Sequence, residues 1–246
     1  MNRKASRVDA SIYAVENFLV AERRRWQTRL PKLSRRSGKV KVYDRGMENG
    51  PGSEVAAFIL AGGKSTRMGT DKAFVEYDGR TLLARALSLA RSVTADVRIV
   101  GSQEKFARFA PVVEDIFGDC GPLAGIHSAL RSSPAELNLM LAVDMPFVSG
   151  EFLLYLISQA RSLPEVEVVV PLADRRRQPL CAIYRREFAD AAENALRAGQ
   201  NRIDRLFDEV RTRVIEEEEL EDGGFSSAIF RNLNTPEELD AQPRRA

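Results

Sequence analysis

The stretch Val55-Ala56-Ala57-Phe58-Ile59-Leu60-Ala61-Gly62-Gly63-Lys64-Ser65-Thr66-Arg67-Met68-Gly69-Thr70-Asp71-Lys72 decides how this 246-residue chain folds and where its chemistry lies. Its first six residues are an unbroken apolar run, the pattern of a strand buried on both faces. The run breaks into paired glycines and then into cations, which is the layout of a strand-to-loop anion site. Glycines let backbone N–H groups approach a phosphate, Arg67 can fork onto its oxygens, and Lys72 can place a point charge beside them. Two better-known phosphate loops are excluded by residue identity. A Walker loop ending at Lys64 needs glycine where Phe58 stands, and a G-x-G-x-x-G from Gly62 needs glycine where Lys64 and Arg67 stand.

Outward from this loop, residues 74–77 read as a short strand, Asp78-Gly79 as a turn and Thr81 as the N-cap of a helix through about Ser92. Further strands are predicted at 97–100, 111–113, 137–143, 166–170, 180–184 and 212–215. Helices are predicted at 104–109, 126–131, 150–162, 187–198 and 203–209. The acidic run 216–219 with Glu221 and Asp222 reads as a solvated edge or loop. Strands alternating with helices predict an α/β fold: one Rossmann-like, three-layer α/β/α domain with a mostly parallel sheet. Ligands of such sheets bind beyond the carboxyl ends of the strands. Gly62-Gly63, Glu114-Asp115 and Asp144 all fall at such ends, so glycines, cations and carboxylates are expected on one rim.

Asp144 closes the apolar run Met140-Leu141-Ala142-Val143 and is fixed by Met145-Pro146, a placement suited to a hard divalent cation that also touches phosphate oxygens. Its competing role is to cap the helix that starts near Gly150. Asp115 either meets a nucleotide or accepts backbone hydrogen bonds in its loop. Guanine carries O6 as acceptor and N1–H and N2–H2 as donors. Backbone groups around Leu60, Ala61 and Gly62 and around the Gly121-Pro122 turn can satisfy them. The single histidine, His127, falls inside a helix and reads as a packed or surface residue rather than a catalyst.

Composition narrows the classes. Apolar residues make up 44% of the chain, ordinary for a globular core, and no apolar stretch approaches the roughly 18 residues needed to span a bilayer. Two cysteines, Cys120 and Cys181, without a C-x-x-C, support neither a disulfide framework nor a thiolate metal site, and a reducing cytoplasm fits best. The net charge of +2 conceals an asymmetry: residues 1–54 carry +7 and the remainder −5. The basic excess therefore belongs to a leader rather than to a nucleic-acid footprint on the body. Residues 1–53 are expected to be a disordered N-terminal extension, followed by a domain over 54–242. Met47, with Glu-Asn-Gly-Pro-Gly-Ser before the first strand, is the favoured true start. The rivals are a disordered arm that touches a partner and an acid-poor targeting peptide.

The pattern L-A-G-G-x-x-x-R-M-G-x-D-K over residues 60–72 resembles that of the MobA-like nucleotidyltransferases. Three later segments match in the same order: Gly121-Pro122-Leu123-Ala124-Gly125, Met140-Leu141-Ala142-Val143-Asp144-Met145-Pro146, and Asn232-Leu233-Asn234-Thr235-Pro236-Glu237-Glu238-Leu239. The resemblance covers about residues 55–240. It implies an enzyme that transfers GMP from GTP to the phosphate of molybdopterin, forming a guanine dinucleotide cofactor and pyrophosphate. It also implies Mg2+ held by Asp144 and catalysis by Arg67, Lys72 and Asp144. Nucleotide contacts would come from Leu60, Ala61, Gly62, Gly63, Lys72, Asp115, Gly121, Pro122 and Asp144. Pterin contacts would come from Asn232 and Asn234, which otherwise read as an Asx turn entering a terminal helix. Cofactor-insertion proteins and molybdoenzyme apoproteins are the implied protein partners of a monomer, with no nucleic acid or membrane. Two other readings stand beside it. One is a related nucleotidyltransferase, either a molybdopterin cytidylyltransferase or a sugar- or polyol-phosphate nucleotidylyltransferase. The other is a non-catalytic carrier of nucleotide or cofactor.

Overall fold

The computed structural model describes residues 54–62 and 71–233. Arg67, Gly63, Asn234 and the leader thus lie outside the described residues. The chain begins with β1 (Val55–Leu60), a 3-10 turn (Lys72–Phe74), the hairpin strands β2 (Glu76–Tyr77) and β3 (Arg80–Thr81), and α1 (Leu82–Arg91). Then come β4 (Asp96–Val100), α2 (Gln103–Phe106), β5 (Val112–Val113), α3 (Pro122–Ser132), β6 (Leu137–Ala142) and α4 (Gly150–Ser162). The second half holds β7 (Val168–Ala173), β8 (Arg176–Arg177), β9 (Cys181–Arg185), α5 (Phe188–Arg197) and α6 (Ile203–Leu206). It ends with β10 (Thr212–Ile215), α7 (Glu217–Asp222) and a second 3-10 turn (Ser227–Phe230).

The main sheet runs β10-β7-β9-β6-β1-β4-β5, with β8 paired onto β7 outside this path. All neighbours along it are parallel except β9, which runs against both β6 and β7. The chain leaves β1 toward β4 and β5, then returns to pair β6 on the other edge of β1, so the switch in direction of winding falls between β1 and β6. The two apolar faces of the sheet bury into separate cores. Val55, Ala57 and Ile59 join Leu139 and Leu141 under α1 and α4, while Ala56 and Phe58 join Met140 under α3 and α5. Burial on both faces is what makes β1 and β6 read as continuous apolar runs. Among the described residues, no helix is long and apolar enough to cross a membrane.

Local chemistry explains the element ends. The Thr81 hydroxyl accepts from the Ala84 N–H at 3.2 Å, and the Ser149 hydroxyl caps α4 through the Phe152 N–H. Asp144 therefore is not the cap of α4. Asp78 and Gly79 turn the β2–β3 hairpin at φ 51° and 72°. Several expectations need correction. Phe74 belongs to a 3-10 turn capped by Asp71 rather than to a strand. α2 and α6 stop at Phe106 and Leu206, each after a single turn. α3 starts four residues earlier than the apolar pattern suggests, because Pro122 at its first position needs no N–H partner there. The acidic run is a helix, α7, held by reciprocal bonds between Glu216 and Glu219 at its start.

Two stability tests follow from this packing. Phe152 on α4 is fully buried against the rings of Phe225 and Phe230, whereas Leu154 on the same helix is 54% exposed. Phe152→Ala should cost about 3–5 kcal/mol in urea unfolding, and Leu154→Ala should stay within about 0.5 kcal/mol.

His127 is buried in α3 between Phe117 and Glu193, and loss of hydration holds its pKa below the ordinary 6.5 despite the pull of Glu193. The unfolded chain then binds the proton more readily, so stability is full above about pH 6.5 and falls as the pH drops below it. As the chain has one histidine, His127→Gln should flatten the fall in thermal midpoint between pH 7.5 and 5.5.

Candidate active site

The candidate site is assembled by backbone pairing. β1 and β6 are in register with Leu60 opposite Ala142, and the Val143 N–H donates to the Leu60 carbonyl at 3.2 Å. On the other edge, the Ala61 N–H donates to the Val100 carbonyl at 3.0 Å. Ala61 and Gly62 thus emerge between the ends of β4 and β6, with Asp144 two residues past β6 on the same rim. Lys72 reaches across, and its Nζ donates to Asp144 Oδ2 at 3.2 Å. Both side chains are partly open to water, Lys72 at 28% and Asp144 at 16%, so cation and carboxylate are accessible to a ligand.

A third wall comes from α3. Gly121 sits just before it at φ 73°, a left-handed conformation that favours glycine, and leads into Pro122. Gly125 lets the helix lie against the strand ends, since a Cβ there would come 3.2 Å from Val100 and 3.5 Å from Asp115 Oδ1. The loop before α3 is pinned by the Ile116 N–H donating to the Ser128 hydroxyl at 2.8 Å. Asp115 stands at the lip of this wall, and loss of water pushes its carboxyl above the ordinary range.

The structure therefore brings together Leu60, Ala61, Gly62, Lys72, Asp115, Gly121, Pro122 and Asp144. Asn232 is exposed in the closing segment, and its neighbour Leu233 donates its N–H to the Asp144 carbonyl at 3.1 Å. Asn232 is thereby tied to the same rim.

One supporting contact, between Asp71 and Lys105, escaped the sequence. Asp71 accepts the Ala73 N–H at 3.2 Å, capping the turn that carries Lys72, and its other oxygen receives Lys105 Nζ from α2 at 2.8 Å. α2 is itself fixed because the Gln103 N–H donates to Glu114 at 3.0 Å. Asp71 and Lys105 stand 34 positions apart in the chain and no periodic signal joins them, although Asp71 as a turn cap was readable from its type. Cys181 is inert, its buried thiol pushed up to about 12.

A hard carboxylate, a cation against it, a glycine-bounded helix start and a carboxyl-rim location together suit a polyphosphate with a divalent cation. Among the described residues, no cluster of three or more His, Cys, Asp or Glu side chains forms a complete metal cage.

Comparison with known proteins gives the chain's family. The model of the MobA-like NTP transferase domain matches residues 57–219. A probable molybdenum cofactor guanylyltransferase from Pelotomaculum thermopropionicum is 34% identical over 188 residues, covering 76% of this chain and 90% of that one. The molybdenum cofactor guanylyltransferase of Desulfosudis oleivorans is 34% identical over 189 residues, covering 76% and 93%. Among solved structures, molybdopterin-guanine dinucleotide biosynthesis protein A from Archaeoglobus fulgidus superposes with a TM-score of 0.65 at 28% identity, covering 75% of this chain and 95% of that one.

The turn carrying Lys72 gives a test independent of any ligand. Asp71→Ala removes a cap worth about 1 kcal/mol, so hydrogen exchange at the Ala73 amide should speed up about fivefold. Lys105→Ala, which removes only an exposed ion pair, should have the smaller effect.

Proposed function

This chain belongs to the MobA-like NTP transferase family, and from that premise we propose that it is a molybdenum cofactor guanylyltransferase. It transfers GMP from GTP to the phosphate of molybdopterin, yielding the guanine dinucleotide cofactor and pyrophosphate. The observation that carries nucleotidyl transfer is the Lys72–Asp144 contact at the β1–β6 switch point. The guanylyl and pterin assignments come from the named relatives. These relatives disfavour the cytidylyl, sugar-phosphate and carrier readings.

The acceptor phosphate is ionised at neutral pH, its second pKa being about 6, so attack on the α-phosphorus needs no general base. The residues present accord with this, since His127 is buried away from the rim. Catalysis then rests on positioning and charge neutralisation. Lys72 faces the transferring phosphates, and Arg67 adds its guanidinium from the glycine loop. Backbone groups of Leu60 to Gly63 and of Gly121-Pro122 bracket the base, and Asp115 lies beside them. Asp144 fits a divalent ion: a hard oxygen donor with few protein neighbours suits Mg2+, which keeps its waters and shares substrate phosphates. When bound, the ion would neutralise charge on the triphosphate. Asn232 and Asn234 are assigned to the pterin by the family pattern.

In the direct test, the protein is incubated with molybdopterin, Mg2+ and each nucleoside triphosphate in turn, with dinucleotide and pyrophosphate measured. GTP should exceed CTP by about a hundredfold or more, because a site that hydrogen-bonds guanine leaves its own groups unpaired with cytosine. Asp144→Ala should lower turnover by about 10²–10³ with an unchanged thermal midpoint. Comparable product from CTP would move the protein to the cytidylyl branch.

A further inference from the structure

The turn that carries Lys72 is gripped by α2 and the residues after it. Phe74, at the end of the turn, stacks on Phe106 with ring centroids 5.8 Å apart and tilts against Phe109 at 5.9 Å. Gly101, just past β4, makes room for this packing, since a Cβ there would come 2.9 Å from the Phe106 ring. The Gly101 N–H donates to the Val113 carbonyl at 3.0 Å, and Glu114, next in the chain, holds the Gln103 N–H at the start of α2. Backbone pairing and ring packing thus set Lys105 beside Asp71.

Four charged groups meet here as two pairs. Lys105 Nζ donates to Asp71 Oδ2 at 2.8 Å, and Lys72 Nζ donates to Asp144 Oδ2 at 3.2 Å. The first pair resolves a conflict in the turn. Position 71 needs a side-chain acceptor, which Asp71 Oδ1 supplies to the Ala73 N–H at 3.2 Å. A carboxylate there also stands one residue from the cation that meets Asp144. Uncompensated, it offers Lys72 a competing partner and adds negative charge where a triphosphate has to gather. Lys105 occupies the second oxygen and cancels that charge, and the bond to Asp71 in turn holds the Lys105 ammonium above its ordinary range. The pair is open to water, Lys105 at 55% and Asp71 at 24%, so it adds little to stability. Its influence on Lys72 is a separate effect, because the field of a carboxylate reaches beyond the bond it makes.

We propose that Lys105 is a positioning residue for nucleotidyl transfer: by neutralising Asp71, it leaves the charge of Lys72 directed at Asp144 and at the transferring phosphates. This rests on the guanylyl-transfer reading and adds to it a residue that acts without touching substrate. Lys105 works through the charge of Asp71, so its importance should vanish when residue 71 is neutral. Asp71→Asn supplies that condition, since an amide oxygen can still accept the Ala73 N–H.

The test is a double-mutant cycle on the full chain. Lys105→Gln, Asp71→Asn and the two together are compared with wild type for dinucleotide formation from GTP, molybdopterin and Mg2+, with thermal midpoints verifying folding. Lys105→Gln should lower kcat about tenfold when Asp71 is present and less than about twofold in the Asp71→Asn background. Lys105→Arg, which keeps the charge, should recover most of the loss. No loss, or a loss of equal size in both backgrounds, would overturn the proposal, because a structural defect does not depend on the charge of residue 71. A second readout needs no nucleotide. Acetylation of the Lys72 amine by acetic anhydride, followed by mass spectrometry, should slow about threefold in Lys105→Gln, since an uncompensated carboxylate favours the charged, unreactive ammonium. An unchanged rate would also overturn the proposal. If acetylation slows yet wild type forms no dinucleotide, the positioning of Lys72 by Lys105 stands and the guanylyl-transfer reading falls.

Discussion

The parallel pairing of β1 with β6 is the constraint on which the site depends. Both strands are buried on both faces, with alternate residues committed to different cores. A slip of one residue would exchange the two sets and misplace Phe58 and Ile59 together. The register that packs best sets Leu60 opposite Ala142, and this alone puts Asp144 beside the glycines that follow β1. The position of the carboxylate is therefore fixed by apolar burial rather than by bonds at the rim. The Lys72–Asp144 pair, partly open to water, adds only about 0–1 kcal/mol to stability. Its partners can be exchanged for a ligand without loosening the fold.

Much of this arrangement was legible in the sequence because its signals are local. A strand buried on both faces is a continuous apolar run, and a loop that must approach phosphate needs glycine, so β1, β6 and the residues at their ends could be read directly. Thr81 as a cap and Asp78-Gly79 as a turn depend on side-chain chemistry within a few residues, and they were equally readable. The orientation of β9 was not. An antiparallel strand in the middle of a mostly parallel sheet is buried on both faces like its neighbours, and its direction comes from the β7–β8 hairpin that feeds it.

The residues that support the site were hidden for a related reason. Lys105 meets Asp71 only because α2 is anchored by Glu114, a relation among three separate segments. The arginines 175–177 look alike as a charge run, and only the hairpin's twist sends Arg177 to Asp208 and Arg176 to a cleft shared with Phe230. The acidic run, taken for a loop by its charge, is a helix because Glu216 and Glu219 satisfy each other's backbone groups. In each case an interaction distant in sequence, or a cap made by an unusual residue type, outweighed the local pattern.

Electrostatics gives the rim its division of labour. A transfer between two phosphorylated molecules must gather several negative charges within a few ångströms, where each uncompensated pair costs a few kcal/mol in a partly desolvated cleft. One cluster of cations would hold either substrate but could not orient both. Here the positive groups are divided. Lys72 meets Asp144 from the 3-10 turn, while Arg176 lies on the β7–β8 hairpin and Arg231 on the closing segment. Asp144 is tied by its side chain to Lys72 and by its carbonyl, through Leu233, to the segment that carries Arg231. A single residue that both sides contact can set the distance between donor and acceptor, the quantity on which an in-line displacement depends most steeply. The closing segment is therefore joined to Asp144 through the backbone, a link that lies outside the strand-and-loop pattern by which the chain was first read.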